Sequence, residues 1–292
     1  MTSPSSPIFL GSEITQPDPA DAAYHIIPVP YEKTVSYGAG TSRGPSVIID
    51  ASHQLETWDG KSNPSISGIY THAPLTCSDT AENVLNELAT LTKGIRETGA
   101  IPICLGGEHT ITYGAVKGIN QSVDAPFGVI QIDAHADLRD TYEGSPLNHA
   151  CVMKRIHDMK IPILQLGVRA LCEEECAVRS DDSIYYHDAA ELVAQNITDI
   201  TLPEEFPNQV YITVDIDGFD PSVFPSTGTP VPGGLNWYQG LSLLESVIRN
   251  RKILGCDVVE FSPISNHHAY DFSAASLVYQ LIGLIDRESR FD

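Results

Sequence analysis

The chain has no run of eighteen apolar residues, the length a membrane-spanning helix needs, so no transmembrane span is expected. Basic residues are scarce. Only 17 Lys and Arg stand against 38 Asp and Glu, a formal net charge of −21. That balance argues against nucleic acid or an anionic membrane as partner and suits a cationic small molecule. Residues 1–20 are Ser/Pro-rich, with no basic region and no apolar core. Neither a secretory signal nor an Arg-rich transit peptide is read there. An extended N-terminal segment and a cytoplasmic location are expected. The six cysteines show no disulfide-framework spacing. Cys172 and Cys176 flank three glutamates, and their role is left open. No Gly/Ser linker, charge block or internal repeat divides the chain, so one domain over residues 1–292 is expected.

What is present is a regular alternation. Apolar, β-branched runs occur at Tyr24–Val29, Ile101–Leu105, Phe127–Ile132, Ile163–Leu166, Ile184–Tyr186, Val210–Val214 and Ile253–Val259. Helical periodicity lies between most of them. Val84, Leu85, Leu88, Leu91 and Ile95 share one face, for example, with Asp79 as the expected N-cap. Strand-helix alternation over the whole length predicts an α/β fold, a three-layer sandwich around a mostly parallel sheet of about eight strands. Pro28 to Pro45, rich in Gly and Pro, reads as a long loop, and a loop of that length inside a compact domain is usually functional.

Three of the strand-like runs end in chemistry. The first gives Gly106-Gly-Glu-His109. The second gives Asp133-Ala-His135-Ala-Asp137. The third gives Asp215-Ile-Asp217. Ligands of open parallel sheets sit at the carboxyl ends of strands. Carboxylates packed this closely repel one another unless a cation lies between them. Taken singly, each residue has a bland reading as a helix cap or a solvated loop acid. Taken together, His109, Asp133, His135, Asp137, Asp215 and Asp217 exceed the needs of one tetrahedral zinc. They suit two divalent ions, and ligation rich in oxygen, with one imidazole per ion, suits manganese. Two such ions about 3.5–4 Å apart activate a shared water. His267 and His268 follow a later strand end and are candidates for the same neighbourhood.

G-G-E-H, D-A-H-A-D and D-I-D-G-F-D-P-S-V-F-P-S-T-G-T-P together resemble the ureohydrolases, the family of arginase and agmatinase, from about Val29 to about Ile285. The resemblance implies an arginase-like fold and two Mn2+ per subunit. It implies hydrolysis of a guanidino compound to urea and an amine, by subunits assembled as trimers or hexamers. It places the Pro28–Pro45 loop over the mouth of the site. Glu260, in D-V-V-E-F-S-P, matches the family's guanidinium-binding carboxylate, and a planar fork facing a carboxylate is a strong match. His149, in N-H-A-C-V-M, matches its general acid, and histidine titrates in the right range. Thr229 matches a threonine that helps position the glutamate. The arginase asparagine is absent after D-A-H-A-D, and Arg139 stands there as a substrate contact. L-R-D-x-Y-x-G with N-H-A-C-V-M resembles the agmatinase branch, which implies agmatine as substrate. Guanidinobutyrate and related guanidino acids remain alternatives. A one-zinc deacetylase and a catalytically silent metal-binding homologue are the readings from other classes.

Overall fold

A computed structural model of the chain describes residues 7–289. Residues 1–6 of the expected extended segment lie outside the described residues. The rest of that segment is anchored, because Phe9 and Leu10 are fully buried. The strands, in chain order, are β1 (Tyr24–Val29), β2 (Ile69–Thr71), β3 (Ile101–Gly106), β4 (Phe127–Ile132), β5 (Ile163–Leu166), β6 (Ile184–His187), β7 (Gln209–Asp215) and β8 (Lys252–Val259). They form one eight-stranded sheet in the order β2-β1-β3-β8-β7-β4-β5-β6. Every pairing is parallel.

Alternation along each strand divides the core in two. Ile26, Ile103 and Ile130 face one cluster, while their neighbours Ile27, Cys104 and Val129 face the other. A side-chain period of two in a sheet buried on both sides requires such a division. The first cluster is closed by α1 (Gly44–Ser52), α6 (Ala189–Ala194), α7 (Trp237–Ile248) and α8 (His268–Ser289). The second is closed by α2 (Ala81–Glu97), α3 (Ile111–Asn120), α4 (Val152–Asp158) and α5 (Glu173–Val178). The result is the three-layer sandwich expected, with the sheet wholly rather than mostly parallel.

Several local readings shift. Strand β2 went unread, since three residues at a sheet edge carry no periodicity. Thr80, not Asp79, caps α2, its hydroxyl accepting from the Asn83 N–H. Asp79 instead accepts from Thr80 N and Asn83 Nδ2. Cys172 is the N-cap of α5, and its backbone N–H donates to Glu175 at 2.7 Å. Both Cys172 and Cys176 are free thiols. His267 and His268 are exposed at the start of α8 and do not line the central cleft. No helix among the described residues is long and apolar enough to cross a membrane.

Beside the sheet edge, His25 Nδ1 lies 2.8 Å from His72 Nε2, and His25 Nε2 meets the Pro19 carbonyl at 3.1 Å. The carbonyl accepts, so His25 Nε2 carries a hydrogen and Nδ1 accepts from His72. A proton added to His25 Nδ1 would face the His72 N–H, and one added to His72 would put a charge on a half-buried ring beside His25. Burial, then the charge of His25, pulls the His72 pKa down from 6.5 to about 4. The folded state therefore resists protonation that the unfolded chain accepts below pH 6.5. This stability is fully present above 6.5 and is lost as pH falls through 4. Its size is roughly 2 kcal/mol, allowing for the partial exposure of His72. Urea unfolding at pH 7 and at pH 4 should show the parent losing about that much more stability than His72→Gln. Parallel losses in both proteins would remove this role for the pair.

Candidate active site

Strands β3, β8, β7 and β4 lie side by side at the sheet centre, so their carboxyl ends meet. His109 follows β3, Glu260 follows β8, Asp215 closes β7 with Asp217 beyond it, and Asp133 follows β4. A cavity of about 220 Å³ opens there. His109, His135, Asp137, Asp215, Asp217 and Glu260 line it, with Arg139, His149 and Thr229. Asp133, fully buried, lies beneath its floor. Val35, Ser36, Tyr37 and Gly38 bring the long loop to its wall, as the resemblance implied. All six expected metal ligands thus gather at one place.

Two of their groupings have spacing suited to an ion, His109–Asp133–Asp215 and Asp133–His135–Asp217, so Asp133 is shared. His109 Nδ1 is 3.1 Å from Asp133 Oδ2, 3.0 Å from Asp137 Oδ2 and 3.5 Å from Asp215 Oδ2. His135 Nδ1 is 3.0 Å from Asp217 Oδ2 and 3.6 Å from Asp133 Oδ1. Asp137 holds φ at +53° and Glu260 at +61°. Left-handed backbone in residues other than glycine costs energy, and such strain gathers at functional sites. Upstream, Gly107 has no alternative, because a Cβ there would stand 2.0 Å from the Tyr31 carbonyl oxygen.

Buried polar residues that the sequence reading passed over fix these ligands. Thr213 donates its hydroxyl proton to Asp257 Oδ1 at 2.6 Å, and its oxygen meets His109 Nε2 at 2.9 Å. With that proton committed, His109 Nε2 must donate. Nδ1 is then the nitrogen turned towards three carboxylates, and against burial Asp133 and Asp137 hold the ring well above the usual histidine range. Gln131 Nε2 donates to Asp133 Oδ2 at 2.6 Å, and Gln165 Nε2 holds Gln131 Oε1 at 2.7 Å. Glu175 accepts from the Leu138 N–H at 2.9 Å, just beyond Asp137. Arg169 donates to the carbonyls of Asp217, Gly218 and Phe219, locking the loop after β7. Such residues leave a weak signal in sequence: a lone polar side chain inside an apolar run. Buried, it must have a partner, and here the partner is a candidate ligand or the chain beside one.

The electrostatics ask for positive charge. Burial, then Asp217 and Asp133, holds the Asp215 carboxyl well above the usual range. Burial, then the Asp133 charge, pushes Asp137 up to about 7. Burial, opposed by the His109 N–H, raises Glu260 to about 8. Burial lowers His149. Imidazole nitrogens set among crowded carboxylates fit divalent cations at both groupings. Cys172 and Cys176 belong to neither.

Of the remaining expectations, Arg139 lines the wall with its guanidinium 5.1 Å from the Tyr142 ring centre. Thr229 also lines it, but the hydrogen bond seen on Glu260 comes from the His109 N–H at 2.6 Å.

A wholly parallel sheet carrying this acidic, imidazole-bearing cleft at its carboxyl edge defines an α/β protein with a candidate two-cation site. The chain belongs to the arginase family, whose model matches residues 22–283. It is 38% identical to an N(1)-aminopropylagmatine ureohydrolase of Synechocystis, over 90% of this chain and 89% of that protein. It is 33% identical to an agmatinase of Pyrococcus horikoshii, over 94% and 96%. The solved agmatine ureohydrolase of Thermoplasma volcanium superposes with a TM-score of 0.82 at 27% identity, over 97% and 95%. The chain is a ureohydrolase of the arginase and agmatinase group, acting on guanidino compounds.

Proposed function

We propose that this ureohydrolase carries two Mn2+ per subunit and releases urea from a guanidinium at the end of a cationic aliphatic chain, agmatine first, giving putrescine. The convergence of Glu260 with six metal-ligand candidates on one small cavity carries the reading. His109, Asp133, Asp137 and Asp215 would hold one ion, and Asp133, His135, Asp215 and Asp217 the other. Bound there, the pair supplies an activated water and offsets the crowded carboxylates.

The chain's own residues do the rest. Glu260, raised by burial, regains its charge most readily beside a guanidinium, and so fixes the plane of that group. Thr229, on the same cavity, helps to orient it. Attack on the central carbon destroys guanidinium resonance, and the leaving nitrogen must gain a proton as its C–N bond breaks. His149 delivers that proton. Tyr142, edge-on to His149 with ring centres 6.0 Å apart, and the Val35–Gly38 wall limit water around the reacting carbon. The subunits work in the cytoplasm as a homo-oligomer, a trimer or hexamer.

The far end of the substrate decides specificity. The one Lys or Arg among the lining residues is Arg139, and its loop also carries the acids Asp140 and Glu143, on a chain of net charge −21. A cationic tail suits that field. An α-carboxylate left without donors would cost arginine about tenfold to a few hundredfold. A second reading is favoured by the Synechocystis relative. N(1)-aminopropylagmatine has the same guanidinium end and a further cationic arm, and Tyr37 at the loop is 87% exposed, leaving that side open. Urea release with added manganese should give agmatine or its aminopropyl derivative at least about tenfold greater kcat/KM than arginine. Arginine turning over equally well would refute the assignment. A preference for 4-guanidinobutyrate would instead make Arg139 a carboxylate anchor, and Arg139→Ala would then erase it.

A further inference from the structure

We propose that Thr34 and Glu108 are positioning residues that hold His149 in a single tautomer, with the proton on Nδ1. The inference rests on His149 moving the proton to the leaving amine, as read above. Glu108 is fully buried. Its Oε2 accepts from the backbone N–H groups of Lys33 at 2.5 Å and Thr34 at 2.7 Å. Its Oε1 accepts from the hydroxyls of Thr34 and Thr110, each at 2.6 Å. The Thr34 oxygen also lies 3.1 Å from His149 Nδ1 and 3.1 Å from the His149 backbone N.

A hydroxyl has one proton to give. If Thr34 gave it to His149, two bare oxygens would face each other at 2.6 Å across Thr34 and Glu108. The proton therefore goes to Glu108, and the Thr34 oxygen can only accept. His149 Nδ1 must then donate, and the ring nitrogen left for the cavity is Nε2. Neutral His149 thus presents a lone pair there. It takes a proton at Nε2 from the cavity and returns it from Nε2 to the departing nitrogen. The Nδ1–H stays in place throughout, so the ring neither flips nor changes tautomer between the two transfers. The same arrangement recurs across the cleft in His109, Thr213 and Asp257, where it turns the opposite ring nitrogen inward.

Thr34 enters the cleft from the long loop, and Glu108 lies between the two glycines and the histidine of the strand that faces it. The loop therefore does more than border the mouth. It carries the acceptor that sets the proton chemistry, and the Lys33 and Thr34 backbone bonds to Glu108 fix its place.

The test is a cycle on the manganese-loaded enzyme with agmatine. Thr34→Val keeps shape and removes the hydroxyl. Its kcat should fall about a hundredfold, the lower range of a general-acid contribution, with KM within about threefold. Thr34→Ser should recover kcat to within about fivefold of the parent. In a His149→Gln background, Thr34→Val should cost less than about twofold, since a residue acting through His149 has nothing left to act on. Metal content should stay at the parent value in every variant. Thr34→Ala carries the same expectations should the valine variant not fold. If His149→Gln alone leaves kcat within threefold, the reading of His149 fails and this inference with it. If His149→Gln is severe while Thr34→Val is mild, only the inference is overturned. Full additivity of the two changes, or metal lost on Thr34→Val, overturns it as well, since Thr34 would then act elsewhere.

Discussion

Asp133→Asn is expected to empty both cation positions at once. Asp133 is common to the two ligand groupings and to both proposed ion positions. It is fully buried, with one oxygen 3.1 Å from His109 Nδ1 and the other 3.6 Å from His135 Nδ1. Its two oxygens also accept from Gln131 Nε2 and from the His135 N–H, each at 2.6 Å. Asparagine keeps the shape but loses the charge, and it replaces one acceptor with a donor that must face Gln131 Nε2 or the His135 N–H. Both ion positions then lack a ligand and a negative charge. Ions of this type contribute several kcal/mol at the transition state, so kcat should fall at least about a thousandfold. Metal analysis after dialysis should find well under one ion per chain, against two in the parent. The far-UV spectrum should be unchanged, since the strand itself keeps its ladder. Two ions retained in Asp133→Asn would end the shared-ligand reading.

The six donors were legible because each sits where an apolar run stops. Such runs become parallel strands, and their carboxyl ends share one edge, so order along the chain translates into proximity. Strand order was not legible. β8 lies between β3 and β7 although more than a hundred residues separate it from β3, and only the folded sheet brings Glu260 beside the His109 backbone. Helix caps and strand limits moved by a residue or so, as at Asp79 and Thr80, where either side chain can cap and only geometry decides. His267 and His268 misled for a simple reason. They follow Glu260 closely in sequence, but Pro263 and the turn after it carry them out to solvent at the start of α8. The supporting shell was the least legible part. Thr213 and Asp257 look like minor blemishes in apolar strands, and Thr34 looks like one more polar residue in a loop. Their meaning lies in partners 44 to 115 residues away.

Glu260→Gln is expected to separate substrate binding from metal binding. Glu260 belongs to neither ion grouping. Its Oε1 accepts the His109 N–H at 2.6 Å, and its backbone N–H donates to the Gly107 carbonyl at 2.9 Å. With φ at +61°, the chain turns sharply enough to aim the carboxyl at the cavity rather than along the strand. Burial pushes its pKa up to about 8, so the charged form is held at a cost that an incoming guanidinium removes. Glutamine keeps the bond from His109 N but offers an amide where the substrate brings N–H donors. Losing one member of a buried, hydrogen-bonded charge pair costs about 2–5 kcal/mol, or roughly thirtyfold to several thousandfold in kcat/KM. Metal content should stay at two ions per chain. Retention of metal with loss of turnover is the pattern opposite to that of a lost ligand, where both go together. A Glu260→Gln enzyme within threefold of the parent on agmatine would move guanidinium recognition to another wall of the cavity. Loss of metal along with activity would instead make Glu260 part of the cation site.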